Sequence, residues 1–180
     1  MQSFSCDISP NLSKSLFSAD IDQTEITTEG GIEVFQLEKF YFLKKNVSIV
    51  TNDFNLEAEE SVKAFFNKDL YDIISVEAKK NVLLASKQGI KASGENINFS
   101  IKDENIEILG INSTLIIEDI NMFSNQLIKV NHSTGKFNLQ GKNSSIVTND
   151  SKIFGSKING VYKMVDKNYI VQPNEIIEIR

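Results

Sequence analysis

The stretch Asn46-Val47-Ser48-Ile49-Val50-Thr51-Asn52-Asp53 returns almost unchanged as Asn143-Ser144-Ser145-Ile146-Val147-Thr148-Asn149-Asp150. Related segments begin at Asn81 and Asn112, so the four anchoring asparagines are separated by 35, 31 and 31 residues. After each anchor come an apolar residue, a small residue two positions later, and then an apolar pair. This order, recurring at a nearly fixed period of about 31 residues, predicts four tandem structural repeats.

Apolar and polar residues alternate within the repeats, as in Asn96-Ile97-Asn98-Phe99-Ser100-Ile101 and Lys136-Phe137-Asn138-Leu139. Alternation bounded by turn residues is typical of half-buried antiparallel strands. The stretch from Phe54 to Asn67 also fits one face of a helix, but the repeat assigns it to strands. We therefore predict an all-β fold with about three strands per repeat and roughly 12 to 16 strands altogether.

The two ends of the chain lie outside the repeats. We predict a flexible lead-in over residues 1–25. A single domain is predicted over residues 26–180, in which two facing sheets form a sandwich or an open jelly roll. One strand from Ile32 to Phe42 is expected ahead of the first repeat. Closing strands are expected from Tyr169 to Val171 and from Ile176 to Ile179.

Strand alternation also predicts which side chains face the interior, because residues two apart share one face of a strand. The predicted interior residues are Val47, Ile49, Leu56, Val82, Leu84, Ile90, Phe99, Leu115, Ile117, Met122, Ile128, Val130, Ile146 and Ile153. Periodicity alone favours a sealed hydrophobic core made of these residues.

The composition argues against several kinds of chemistry. The chain has one histidine, His132, and one cysteine, Cys6, too few for a zinc site of three or four protein ligands. No serine is marked as a nucleophile, and His132 fits a turn. The formal charge of −5 comes from acidic and basic residues that are mixed along the chain, which argues against a nucleic-acid partner. We predict a non-enzymatic protein without cofactor or metal.

Four segments carry a resemblance to a known family: Val76 to Leu84, Gly89 to Phe99, Glu107 to Asn112, and Asn138 to Asn143. Across residues 26 to 162 the chain resembles the OstA-type repeats of the LptA/OstA lipopolysaccharide-transport proteins. Lys45 and Lys80 depart from the family pattern, which usually has glycine before the asparagine.

The resemblance implies an open antiparallel β-jelly roll whose two sheets do not seal. The predicted interior residues would then line a groove that carries lipid A acyl chains of lipopolysaccharide across the periplasm toward the outer membrane. It also implies head-to-tail self-association and LptC-like and LptD-like β-jelly-roll partners. A periplasmic protein needs an export leader, and none is visible, so we expect one to have preceded Met1.

Three alternatives remain open at this stage. Repeats of about 31 residues also fit a self-assembling β-solenoid scaffold of the bactofilin kind, although nine glycines are few for its tight corners. The chain could instead be the periplasmic domain of an LptC-like protein. A carbohydrate-active or carbohydrate-binding β-protein is the third alternative. Sugar stacking would need exposed aromatic residues, and tryptophan is absent.

Overall fold

The structure, a computed structural model, describes residues 24–165 and 168–178. Within these residues it contains fifteen strands and no helix. The described residues therefore include no helix that could span a membrane. The strands are β1 Glu25–Thr27, β2 Ile32–Phe35, β3 Phe40–Lys44, β4 Val47–Val50, β5 Phe54–Ala58, β6 Ser61–Phe66, β7 Ile73–Ser86, β8 Ile90–Ser100, β9 Asn105–Leu109, β10 Ser113–Ile117, β11 Ile120–Ser124, β12 Leu127–Asn131, β13 Lys136–Val147, β14 Lys152–Val165 and β15 Asn168–Ile177. The all-β prediction is confirmed, including strands rather than a helix between Phe54 and Phe66.

The strands form two antiparallel sheets that share four long, bent strands. Sheet 1 has the order β1-β4-β5-β7-β8-β10-β11-β13-β14, and sheet 2 has the order β2-β3-β6-β7-β8-β9-β12-β13-β14-β15. Strands β7, β8, β13 and β14 each pass from one sheet into the other. The pairing register breaks where β7 bends, between Lys79 and Val82, and where β13 bends, between Gln140 and Ser144.

The anchoring asparagines mark the bends between the sheets. Asn46, Asn81, Asn112 and Asn143 all have left-handed backbone angles, with φ between 48° and 62°. Asparagine tolerates this conformation better than most residues other than glycine. Lys80, which stands where the family pattern has glycine, is also left-handed, with φ of 68°. The repeat is thus anchored on the residues that turn the chain from one sheet into the other.

Each repeat runs out and back as two strands of sheet 1 and then out and back as two strands of sheet 2. The third repeat, for example, contributes β10 and β11 to sheet 1, then β12 and the first half of β13 to sheet 2. A repeat therefore holds four strand segments rather than the three expected. In the first and third repeats the last segment continues through a bend into the next repeat, as part of β7 and of β13. The strand pairings of the described residues are antiparallel, which distinguishes this fold from a β-solenoid with parallel stacked rungs. The solenoid alternative is wrong in its architecture.

Two terminal strands differ from the prediction. The expected strand from Ile32 to Phe42 is a hairpin of β2 and β3, with Lys39 in a left-handed conformation at its turn. The two expected closing strands are one strand, β15, which has a register shift opposite Asn159 and Gly160. Pro173 is accommodated because β15 is an edge strand of sheet 2.

The predicted lead-in lies mostly outside the described residues. Residues 1–23 are not described, and β1 already pairs with β4 from Glu25, one residue before the expected domain start. The division of the chain at residue 26 stays a prediction.

Candidate functional site

Within the described residues the two sheets are joined along one side, which we call the corner. The described chain crosses between the sheets near residues 28–31, 45–46, 59–60, 80–81, 94–95, 110–112, 125–126, 141–143 and 155–156. Turns on the opposite side, which we call the mouth, join strands of the same sheet: residues 51–53, 87–89, 118–119 and 148–151 in sheet 1, and residues 36–39, 67–72, 101–104 and 132–135 in sheet 2. In the described part of the chain, strand pairing never crosses the mouth.

The structure brings the fourteen predicted interior residues together between the sheets. Thirteen of them are buried, and Ile153, near the end of sheet 1, is partly buried. Ile49 lies opposite Leu56, which lies opposite Leu84, and these three side chains cover adjacent parts of one inner surface. Their own packing fills the space, so an acyl chain could enter only if the sheets moved apart. Their binding of lipid stays a prediction.

The interior contains no buried Asp, Glu, Lys, Arg or His side chain among the described residues. Its buried polar side chains are four serines at the corner: Ser61, Ser113, Ser124 and Ser144. Ser113 and Ser144 donate hydrogen bonds to the carbonyls of Gly110 and Gly141, at 2.8 and 2.7 Å. Between the corner and the rim of the mouth, the buried inner surface is therefore apolar apart from tyrosine hydroxyls.

Side chains alone close the mouth. The ring of Phe54 from sheet 1 meets the ring of Phe99 from sheet 2 edge to face, with centroids 5.8 Å apart. Next to this contact is a cavity of about 120 Å³ between the two rims. It is lined by Asp53, Ser86, Gln88 and Ile90 from sheet 1 and by Phe99, Ile101, Glu104 and His132 from sheet 2. Two predicted interior residues, Ile90 and Phe99, thus line this cavity.

A polar pair stands beside this cavity on the rim of sheet 2. The Nδ1 atom of His132 and the hydroxyl of Tyr162 are 2.8 Å apart and share a hydrogen bond. Burial raises the pKa of the Tyr162 hydroxyl, and the nearby Tyr169 and Glu104 raise it further. The Tyr162 hydroxyl therefore stays neutral up to strongly alkaline pH. The described residues hold no cluster of three or more His, Cys, Asp or Glu side chains that could bind a metal.

The interior is also exposed at both ends of the jelly roll. At the end formed by β2, Ile32 and Val34 lie opposite the buried Leu43 and Tyr41, yet each is 47% exposed. At the other end, Ile176 lies opposite the buried Ile158 and is likewise exposed. These side chains continue the inner surface, and no strand of residues 24–165 or 168–178 covers them.

Sequence reasoning missed most of the inner surface of sheet 2. The omitted residues include Leu43, Val62, Val76, Ile97, Ile106, Ile108, Phe137, Leu139 and Ile158, all of them buried. The alternation around Ile97 and Phe137 was a usable signal, because it marked their strands. The pairing of His132 with Tyr162, which are 30 residues apart in sequence, left no local signal.

Comparisons with known proteins give likenesses of shape among solved structures but none of sequence. No family model matches the sequence, and no curated protein matches it. Among solved structures, the chain is similar to the crystal structure of LptH, the LptA-homologous periplasmic component of the conserved lipopolysaccharide transport device from Pseudomonas aeruginosa. The TM-score is 0.49 and the identity 13%, with 61% of this chain and 76% of that chain covered. The antiparallel pairing of the chain's own strands defines its β-jelly roll.

Proposed function

We propose that this protein is a carrier and bridge for lipopolysaccharide in the periplasm, with the acyl chains of lipid A held between its two sheets. The observation that supports this best is the joining of two sheets, apolar on their inner faces, along the corner only. Such an interior can be reached from the mouth without breaking strand pairing, and it offers an acyl chain no buried charge. No enzymatic step is proposed.

The energetics suit a carrier that releases its cargo. Burying one methylene contributes about 0.8 kcal/mol, so an acyl chain of about a dozen methylenes would gain on the order of 10 kcal/mol. Association costs of about 4 to 15 kcal/mol, together with the loss of side-chain packing across the mouth, offset much of this gain. Net binding is then moderate, and transfer to a neighbouring jelly roll is favoured by only a small difference in affinity.

The rim of the mouth can receive the polar part of an amphipathic lipid. Exposed Lys87 and Lys102 stand in mouth turns of sheet 1 and sheet 2, where their ammonium groups could meet lipid phosphates. Asp53 and Glu104 line the mouth cavity, and we expect them to remain hydrated. The acyl chains would point inward, toward Ile90 and the other predicted interior residues.

The exposed ends support head-to-tail contact between copies. The edge strands β2 and β15 each pair on one side only among the described residues, and each can accept a strand from another molecule. Such a contact would cover Ile32 and Val34 of one copy with Ile176 of the next, and would join their interiors. LptC-like and LptD-like jelly rolls would use the same two edges. The LptC-like alternative would employ the same interior and differs in its attachment to a membrane.

The proposal is tested by locking the mouth. In a Cys6→Ser background, cysteines replacing Gln88 and Ile101, which line the mouth cavity from opposite sheets, are joined by a short bis-maleimide. We expect at least tenfold weaker capture of lipopolysaccharide after tethering. The matched control joins cysteines replacing Ser93 and Thr114, neighbours within sheet 1 whose hydroxyls are 2.7 Å apart, and should bind normally. Equal binding by both tethered proteins would show that cargo does not enter through the mouth.

A further inference from the structure

The hairpin formed by the ends of β14 and β15 extends beyond the rest of sheet 2. Pairing of β13 with β14 ends at Lys136 opposite Val161, level with the mouth turns of residues 101–104 and 132–135. Beyond this level β14 and β15 continue to pair with each other. We call residues 162–171 the arm. Among the described residues no other strand pairs with the arm, so it projects from the rim of the mouth.

A β-bulge at the base of the arm allows it to leave the plane of sheet 2. The register of β14 against β15 shifts between Asn159 and Gly160. A bulge bends its strand and increases the local twist, and a glycine inside a strand often marks such a bend. The ring of Phe137 lies against Gly160, where an added Cβ atom would come within 2.6 Å of the Phe137 Cζ atom. The position of the bend is thus fixed by packing.

The root of the arm is fastened to sheet 2. The amide of Tyr162 donates a hydrogen bond to the carbonyl of Gly135 at 2.9 Å, and its hydroxyl shares the hydrogen bond with His132. The Tyr162 side chain is buried. Tyr162 therefore holds the root in place, and the arm can move only beyond it.

Tyr169 brings the arm to the opposite rim of the mouth. Its ring meets the ring of Tyr162 edge to face, with centroids 5.9 Å apart, and packs against the core while remaining partly exposed. Burial raises the pKa of the Tyr169 hydroxyl, and the carboxylates of Glu118 and Asp119 raise it further. These carboxylates belong to a mouth turn of sheet 1. A side chain that starts from sheet 2 thus lies over the mouth, close to the rim of sheet 1.

The rest of the distal arm is held weakly. Lys163, Met164 and Ile170 are exposed, and Met164 is 60% exposed although it lies on the same face of the arm as Tyr162. Closure of the arm therefore depends on Tyr169. A single aromatic contact of this kind is weak enough to break and form again readily.

We propose that the arm is a gate over the mouth, closed when Tyr169 lies between the two rims and opened when the distal arm swings away from sheet 1 to admit an acyl chain. This role rests on the proposed carrier function. Phe54 and Phe99 close the mouth at β5 and β8, whereas the gate stands at the β15 end, where the interior is exposed and a second copy would receive cargo. The gate thus controls how fast cargo enters and leaves at that end.

The motion of the arm is tested first without lipid, by measuring the distance between two spin labels on the full chain. In a Cys6→Ser background, labelled cysteines replace Lys163 on the arm and Asp150 in a mouth turn of sheet 1, both exposed. Tyr169→Ala should move at least about a tenth of the molecules to a longer distance. The matched control pair replaces Lys136 and Asp150, which span the same mouth without the arm, and its distance should not change.

Lipopolysaccharide is then added to the same labelled proteins. At saturation it should lengthen the distance between positions 163 and 150 in the protein that retains Tyr169. Tyr169→Ala should capture and release lipopolysaccharide about tenfold faster, because its gate no longer has to open. Stopped-flow mixing measures both rates.

The outcomes separate the gate from the carrier function. The gate is overturned if Tyr169→Ala leaves the arm distance unchanged, or if it lengthens both label pairs equally, since the sheets would then move as wholes. It is also overturned if lipopolysaccharide binds without changing the arm distance. If Tyr169→Ala releases the arm but no variant captures lipopolysaccharide, the motion of the arm is supported and the carrier function is overturned.

Discussion

Phe54 of sheet 1 and Phe99 of sheet 2 meet edge to face across the mouth, with their ring centroids 5.8 Å apart. An aromatic pair of this kind contributes about 0.5–1.5 kcal/mol beyond the burial of its surface. Strand pairing does not reinforce the contact in the described chain, whereas the corner is continuous backbone. The sheets should therefore separate at the mouth before they separate anywhere else.

This difference between mouth and corner predicts how a new charge acts at different places. Leu115 is fully buried, and Leu115→Asp should cost more than about 5 kcal/mol and prevent folding, because the carboxylate has no partner. Ile101 is only partly buried at the mouth cavity, so Ile101→Asp should cost about 1–2 kcal/mol. Thermal unfolding followed by circular dichroism measures both.

Binding separates Ile101 from an outer-face control. Ile101→Asp should fold and lose most lipopolysaccharide binding, whereas Leu83→Asp, on the outer face and 54% exposed, should retain both. Folded Ile101→Asp protein with undiminished binding would argue against the mouth as the lipid site.

The corner asparagines predict a backbone effect on stability. At Asn81 φ is 48°, and a β-branched side chain clashes with the backbone in this left-handed conformation. Asn81→Val should therefore destabilise the fold by about 1–2 kcal/mol. Asn81→Gly should change stability by less than about 1 kcal/mol, since glycine adopts this conformation freely. Urea unfolding of the two variants tests this, and equal stabilities would show that the corner does not depend on the left-handed residue.

Buried Tyr162 predicts a loss of stability at high pH. Its pKa is raised in the folded protein by burial and by Tyr169 and Glu104, above the value near 10 of an unfolded chain. The stabilisation is therefore complete below pH 10 and is lost progressively as pH rises above it, by about 1.4 kcal/mol per pH unit. Tyr162→Phe should be less stable than wild type by about 1 kcal/mol at pH 8, having lost the His132 hydrogen bond.

The comparison of the two proteins at high pH isolates this effect. The stability gap between wild type and Tyr162→Phe should narrow or reverse at pH 11, because only the wild type carries the Tyr162 hydroxyl. The raised pKa of Tyr41 acts equally in both proteins. Urea denaturation at both pH values measures the gap, and a gap that does not change with pH would contradict the prediction.

The exposed ends predict self-association that depends on concentration. Replacing Ile32 and Val34 together by lysine puts two charges on the inner surface at the β2 edge. In sedimentation velocity experiments, the sedimentation coefficient should shift toward that of the monomer. Ile176→Lys should do the same at the other end. Leu83→Lys, on the outer face of sheet 1, should have no effect. Wild-type protein that remains a monomer across a concentration series would remove the basis for head-to-tail contact.

The sequence predicted the structure correctly where a local backbone conformation restricts the type of residue. The left-handed corners select asparagine, so Asn46, Asn81, Asn112 and Asn143 revealed the repeat. Alternation then placed residues such as Leu84 and Leu115 on the inner face, where the structure has them. The repeat also assigned residues 54–66 to strands rather than to a helix.

The predictions that were wrong or incomplete concern features that leave no local signal in the sequence. The turn between β2 and β3 contains no glycine, proline, asparagine or aspartate, and its left-handed residue is Lys39, so the hairpin read as one strand. Period-two alternation identifies an inner face but not the sheet to which it belongs, which is why the share of sheet 2 was underestimated. Whether two apolar faces pack closed or leave a groove depends on tertiary geometry, which no single strand encodes.

The central claim is tested most directly at two adjacent leucines of β7. Leu84 faces the interior and is buried, while Leu83 faces outward and is exposed. A small diazirine residue at each position, irradiated in the presence of lipopolysaccharide, reports which face meets lipid, with Asn138 as a second outward control. We predict crosslinking from position 84 and not from positions 83 or 138. Crosslinking at position 83 but not at position 84, or none at position 84 in folded protein, would contradict the carriage of lipid between the sheets.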